Sequence, residues 1–175
     1  MTPPKTNGPA QADSPLPVVD SFLLRDGRVV RPDLHRARFA RGALAAGADQ
    51  LELDDFFRHV DRVFAGQASN GDWFPKLSWD GREFSCQIRP APALRSTTTL
   101  AVILQSDPRR FPQIKGPDME TLGRQRAAAR EVGADDAVVV EGSEIFEAAN
   151  GALVFFDEEG PFAALPPRGS NSYLR

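Results

Sequence analysis

Two Asp-Gly dipeptides, Asp26-Gly27 and Asp80-Gly81, each sit between short runs of apolar, β-branched and aromatic residues. An Asp-Gly pair supplies the left-handed backbone that a tight hairpin turn needs, so each one obliges the chain to double back on itself as antiparallel strands. The first hairpin is expected from residues 18–24 and 28–30, and the second from 73–79 and 83–89, where Pro90-Ala91-Pro92 stops it. Two helices fall between them. Pro32-Asp33 provides a stop and an N-cap for the first, whose apolar side is Leu34, Ala37, Phe39 and Leu44 and which Gly47 closes. The second is capped by Asp54, carries Phe56, Phe57, Val60, Val63 and Phe64 at three- and four-residue spacing, and ends at Gly66. Hairpins interleaved with amphipathic helices define an α+β chain.

The second half continues in the same style. Residues 97–105, rich in Thr, Val, Ile and Leu, predict a buried strand that Asp107-Pro108 ends. A helix is expected over 118–132, with Met119, Leu122, Ala129 and Val132 on one side and Gly133 just past its end. Two further hairpins are expected, 137–140 with 144–146, and 153–156 with 162–165. Residues 1–17 hold five of the fifteen prolines and almost no large apolar side chain, the composition of a disordered tail.

Composition excludes several classes of function. A net charge of -3 and a pI near 5.4 give no basic field for a nucleic-acid backbone. The first residues lack the apolar run of a secretion signal, no run approaches the roughly 20 residues that span a bilayer, and the single cysteine, Cys86, cannot form an internal disulfide. A cytoplasmic protein with no nucleic-acid or membrane partner fits these features. Nucleophile-elbow, Walker and dinucleotide-binding motifs are absent, as is any metal-ligand spacing, so no metal site is expected. Cys86 lies within a strand pattern as a small core residue, and His59 lies among charged residues with no role.

Lysine is scarce: only Lys5, Lys76 and Lys115, against eighteen arginines. Lys115 stands where an extended run meets a Gly-Pro turn before a helix, a position open to either a pocket amine or a surface one. Taken with its neighbours, it carries a resemblance. Ile114-Lys115-Gly116-Pro117-Asp118, Gly133-Ala134-Asp135-Asp136-Ala137, Phe146-Glu147-Ala148-Ala149 and Ala152-Leu153-Val154-Phe155 resemble, in order, the second half of the class IV pyridoxal-phosphate-dependent aminotransferases. That family includes branched-chain aminotransferases and aminodeoxychorismate lyase. Upstream, His35-Arg36-Ala37-Arg38-Phe39 is similar to the family's H-x-x-R helix, and Ile88-Arg89-Pro90 to its I-R-P strand end. The likeness spans roughly residues 18–167.

The resemblance implies a small N-terminal α/β domain at 18–110 and a C-terminal cofactor-binding domain from 111 to 175. The latter is incomplete, since the family's phosphate-binding L-P-G-[IV]-T-R turn, and the helices and strands that close the family's second domain, have no counterpart. It also implies pyridoxal 5'-phosphate as cofactor, with Lys115 as the aldimine lysine and proton carrier, and Glu147 as the carboxylate facing the pyridine nitrogen. Arg38 would fork onto the phosphate, and Arg89 would meet a substrate carboxylate. The implied activity moves an amino group between an amino acid and a 2-oxo acid, in an assembly that is commonly a homodimer. Two alternatives stay open: a lyase acting on aminodeoxychorismate with the same lysine, and a truncated, non-catalytic relative that binds no cofactor.

Overall fold

The computed structural model describes residues 16–67, 70–104, 106–157 and 160–163. The expected tail lies almost wholly outside them. Two strand-like segments, 18–25 and 72–79, run antiparallel alongside each other, and both are interrupted in the middle. β1 (Val18–Ser21) pairs with β5 (Lys76–Trp79), while β2 (Leu24–Arg25) pairs with β4 (Asp72–Trp73). The apolar run at 18–24 is therefore not one strand. Phe22 bends inward at the break, its ring 4.6 Å from His35 and 6.0 Å from Phe64. On the opposite segment Pro75, which has no amide to donate, lies between β4 and β5.

The first Asp-Gly turn forms as expected. Asp26 and Gly27 both have positive φ, 47° and 73°, and join β2 to β3 (Arg28–Val29). At the second, β5 and β6 (Phe84–Gln87) are joined by four residues, because the Asp80 carboxylate accepts from the amides of Arg82 and Glu83, both at 2.9 Å, and holds a wider loop.

Helix α1 (Pro32–Ala45) begins two residues earlier than an Asp33 cap would allow: Arg31, left-handed at φ 51°, is the cap and Pro32 opens the first turn. Proline's fixed φ suits that first helical position, which leaves Asp33 inside the helix to pair with Arg31. Helix α2 (Gln50–Gln67) is likewise capped upstream of expectation. Asp49 accepts from the amides of Leu51 and Glu52 at 2.8 and 3.1 Å, whereas Asp54 is already helical and accepts from Gln50.

Both helices pack on the β1-β5-β6 sheet through Val18, Phe39, Leu53, Phe56, Val60 and Leu77, each 7% exposed or less. Phe39, Phe56 and Phe84 form a ring cluster with centroids 5.0–6.1 Å apart.

A second sheet, β7-β8-β9, carries helix α3 (Met119–Glu131). β7 shrinks to Leu100–Val102 and lies at an edge with Leu100 and Val102 exposed, contrary to the buried strand expected over 97–105. β7 runs parallel to β8 (Asp136–Glu141), so the segment between them is a crossover, and Lys115 lies within it. β9 (Glu144–Ala148) returns antiparallel to β8 with a bulge: Val139 faces Glu147 but Val140 faces Ile145, which leaves Phe146 as the extra residue. The core here is Ala129, Ala137, Val139, Phe146 and Ala148. Met119 and Val132, expected on the apolar side of α3, are exposed. β10 (Val154–Asp157) and β11 (Gly160–Ala163) form the last hairpin.

Candidate active site

The crossover between β7 and β8 is tied down at both ends before it presents Lys115. Asp118 precedes α3 in a capping position, yet its carboxylate makes no cap bond. It points back instead to accept from the amides of Arg110 and Phe111 at 3.0 and 2.7 Å, and it is 6% exposed. On the other side, the carbonyl of Lys115 accepts from the amide of Val19 in β1 at 2.8 Å. Gly116 makes that approach feasible. Its φ is 145°, and a Cβ there would overlap the carbonyl of Pro17. Gly42 of α1 admits the side chains of Val18 and Ile114 in the same way. The lysine turn is thus clamped against the start of the first sheet.

The Lys115 side chain lies among Arg38, Asp20 and Glu147. Burial lowers its pKa from the ordinary lysine range, and the Arg38 charge lowers it further; Asp20 and Glu147 oppose both without restoring it. Its amine makes no hydrogen bond or ion pair with any described residue.

Arg38 projects from α1 onto Asp20, a fully buried carboxylate of β1. Its Nε lies 3.2 Å from Asp20 Oδ2 and its Nη2 pairs with Oδ1, which leaves Nη1 without a hydrogen bond among the described residues. His35 Nδ1 lies 3.3 Å from the same Oδ2 and 3.2 Å from Arg38 Nη2. Burial by itself would raise the Asp20 pKa. The hydrogen bond from His35 and the charge and hydrogen bonds of Arg38 outweigh it, and the net shift is downward.

Glu147 comes from β9, immediately after the bulge at Phe146. Oε1 accepts from Arg109 Nη1, while Oε2 receives no hydrogen bond from a described residue. Arg109 is 5% exposed and forks onto Asp107 through Nε and Nη2, at 2.8 and 2.6 Å. Burial raises the Glu147 pKa. Arg109 and Lys115 pull it back, Asp107 adds to the rise, and the result is upward.

Of the residues singled out in the sequence, Lys115, Arg38 and Glu147 converge and Arg89 does not. Arg89 donates to the carbonyl of Phe74 and to Ser21 Oγ, both at 3.2 Å, and lies over the Phe74 ring at 5.6 Å. It braces the break between β4 and β5. Sequence reasoning missed Asp20, Asp107, Arg109 and the inward use of Asp118. For Arg109 the only signal was an Arg-Arg pair after a proline, which has the appearance of a solvated stretch. Cys86 is half-buried, and burial pushes its thiol pKa up, away from nucleophilic use.

Against this geometry, residues 17–170 match the family model for amino-transferase class IV, so the chain belongs to the class IV aminotransferase family. A comparison with curated proteins by sequence finds no significant match. Solved structures share the fold. A hypothetical aminotransferase from Mycobacterium tuberculosis superposes with a TM-score of 0.74 at 17% identity, over 98% of this chain and 69% of that one. An aminotransferase from Brucella abortus bound to pyridoxal phosphate gives 0.71 at 18% identity, over 97% and 69%. A candidate 4-amino-4-deoxychorismate lyase from Legionella pneumophila gives 0.67 at 14% identity, over 93% and 69%.

Proposed function

We propose that this chain binds pyridoxal 5'-phosphate covalently through Lys115 and exchanges an amino group between an amino acid and a 2-oxo acid. The observation that carries the reading is the state of the Lys115 amine: half-buried, without a hydrogen-bond partner among the described residues, and shifted toward its neutral form. The cofactor fits the residues that surround it. Among the described residues, Lys115 Nζ, Glu147 Oε2 and Arg38 Nη1 each retain an unmet bonding site; in type these are an aldehyde-reactive amine, an acceptor for a protonated ring nitrogen and a donor to a phosphate. When bound, the cofactor supplies an electron sink for charge developing at the substrate's α carbon.

The roles of the protein groups rest on their chemistry. A neutral Lys115 amine is the nucleophile that attaches the cofactor, and once released it is a base that moves the α proton. Glu147 holds the ring nitrogen's proton. Arg38, kept in place by buried Asp20, offers its remaining edge to an anion. Arg89 would reach a substrate carboxylate only by leaving Phe74 and Ser21. The division into units at 18–110 and 111–175 belongs to the same proposal, with the lysine turn as their junction, as do homodimer assembly and a cytoplasmic setting. Among the described residues, no helix is long and apolar enough to cross a membrane.

Titration with pyridoxal phosphate tests the reading. A protein-bound cofactor absorption band that saturates near one equivalent, and is lost in Lys115→Ala, is expected. The same band in Lys115→Ala would overturn the assignment. The shared fold with a candidate aminodeoxychorismate lyase keeps lyase activity as a second reading. Pyruvate release from aminodeoxychorismate without turnover of any amino donor would select it over transamination.

A further inference from the structure

Arg109, Asp107 and Glu147 form a charged row in which the middle residue is almost fully enclosed. Arg109 is 5% exposed and Asp107 15%, and Glu147, at 31%, is the most exposed of the three. The guanidinium divides its donors: Nε and Nη2 go to Asp107, Nη1 goes to Glu147 Oε1. The Arg109 amide also donates to Asp107 Oδ1 at 3.0 Å, which closes Asp107 and Arg109 into a local turn that fixes the fork. A planar guanidinium held on one edge can orient a carboxylate on the other in a way that a flexible ammonium cannot.

The balance of charge in this row matters. An arginine facing Glu147 alone would cancel the carboxylate and weaken its hold on any cation. With Asp107 present, the two carboxylates and one guanidinium sum to a single negative charge, and the oxygen without a hydrogen bond from a described residue is Glu147 Oε2. We propose that Arg109 and Asp107 act together as a positioning pair for Glu147: Arg109 fixes the direction of its carboxylate, and Asp107 offsets the Arg109 charge so that the row as a whole presents a net negative charge to the cofactor's ring nitrogen. This rests on the cofactor assignment above, although the pair's action on Glu147 is a property of the cofactor-free protein.

The charged groups that face Glu147 are Arg109 and Lys115, which favour its ionised form, and Asp107, which disfavours it; Asp118 acts on Arg109 from the start of α3. The two partners of the pair therefore push Glu147 in opposite directions. Arg109→Gln is expected to move its carboxyl pKa up, Arg109→Lys to leave it near the native value while loosening orientation, and Asp107→Asn to move it down.

The test is a pH titration of the Glu147 side-chain carboxyl by carbon NMR in cofactor-free, glutamate-labelled protein, with Glu147→Gln assigning the resonance. Opposite shifts in Arg109→Gln and Asp107→Asn establish the pair. An unmoved Glu147 titration in a folded Asp107→Asn protein, or shifts of the same sign in both variants, would overturn it. Should Arg109→Gln fail to fold, the Asp107→Asn and Arg109→Lys arms still decide. A second readout separates the proposal from its premise. With pyridoxal phosphate bound, Asp107→Asn should lower the pH at which the ring nitrogen loses its proton, read by nitrogen NMR of labelled cofactor. Opposite shifts in the free protein together with no cofactor bound at Lys115 would sink the cofactor reading and leave the effect on Glu147 standing.

Discussion

At the scale of single residues, the candidate site consists of charges removed from water and held by other charges. Asp20 is the clearest case. Its folded pKa lies below the ordinary carboxylate value, so it contributes stability that is complete above about pH 4 and is lost as pH falls through the lowered folded value. Acid unfolding of the native protein should therefore begin below pH 4. Asp20→Asn should flatten that acid limb while costing about 3 kcal/mol at neutral pH, because Arg38 would be left without its buried counterion. Denaturant melts at several pH values measure both effects.

Lys115 has the opposite sign. Its folded pKa is depressed, so the unfolded chain binds the extra proton and stability rises with pH between that lowered value and the ordinary lysine value near 10.4. Lys115→Met should accordingly stabilise the fold at neutral pH, by roughly 1 kcal/mol, in the same denaturant assay. A destabilised Lys115→Met protein would mean that the amine is not strained by its surroundings.

Legibility at this scale tracked sequence distance. Lys115, Arg38 and Glu147, which converge in the structure, each sit in a recognisable local run. Asp20 and Arg109 do not: their partners lie 18 and 38 residues away and nothing local marks them.

At the scale of elements, the hairpins and helices were legible and their edges were not. Asp26-Gly27 dictated its turn because the backbone there has few alternatives. Asp33 and Asp54 each satisfied a capping pattern and neither caps, since a competing use was available: a proline at the first helical position and an earlier aspartate. Asp118 stands at the capping position of α3, but its carboxylate serves two amides of the preceding loop instead. These differences have separate consequences. Asp49→Ala should cost about 1 kcal/mol of stability as the true cap of α2. Asp118→Ala should cost about 1–3 kcal/mol by orphaning the amides of Arg110 and Phe111, yet leave α3 helical by circular dichroism.

Gly116 is the element-level test of the lysine turn. Gly116→Ala places a Cβ against the Pro17 carbonyl at a φ that side-chain-bearing residues rarely adopt, and it should destabilise by at least about 2 kcal/mol. Faster hydrogen exchange at the Val19 amide, which donates to Lys115, would report the loosened clamp.

At the scale of the whole molecule, the class IV aminotransferase fold was legible from six short segments in order, while the break in each of the two long β segments was not. The first break depends on Phe22 meeting His35 and Phe64, both distant in sequence. The chain spans about 69% of the Mycobacterium and Brucella structures it resembles, and within that span it keeps the lysine crossover, the bulged glutamate strand and the arginine helix together. The central claim is that this assembly makes one lysine out of three into a cofactor-binding amine. Reduction with borohydride in the presence of pyridoxal phosphate, with subsequent peptide mass mapping, compares all three directly. A single adduct on Lys115 is expected; an unlabelled Lys115, or equal labelling of Lys5 and Lys76, would contradict the account.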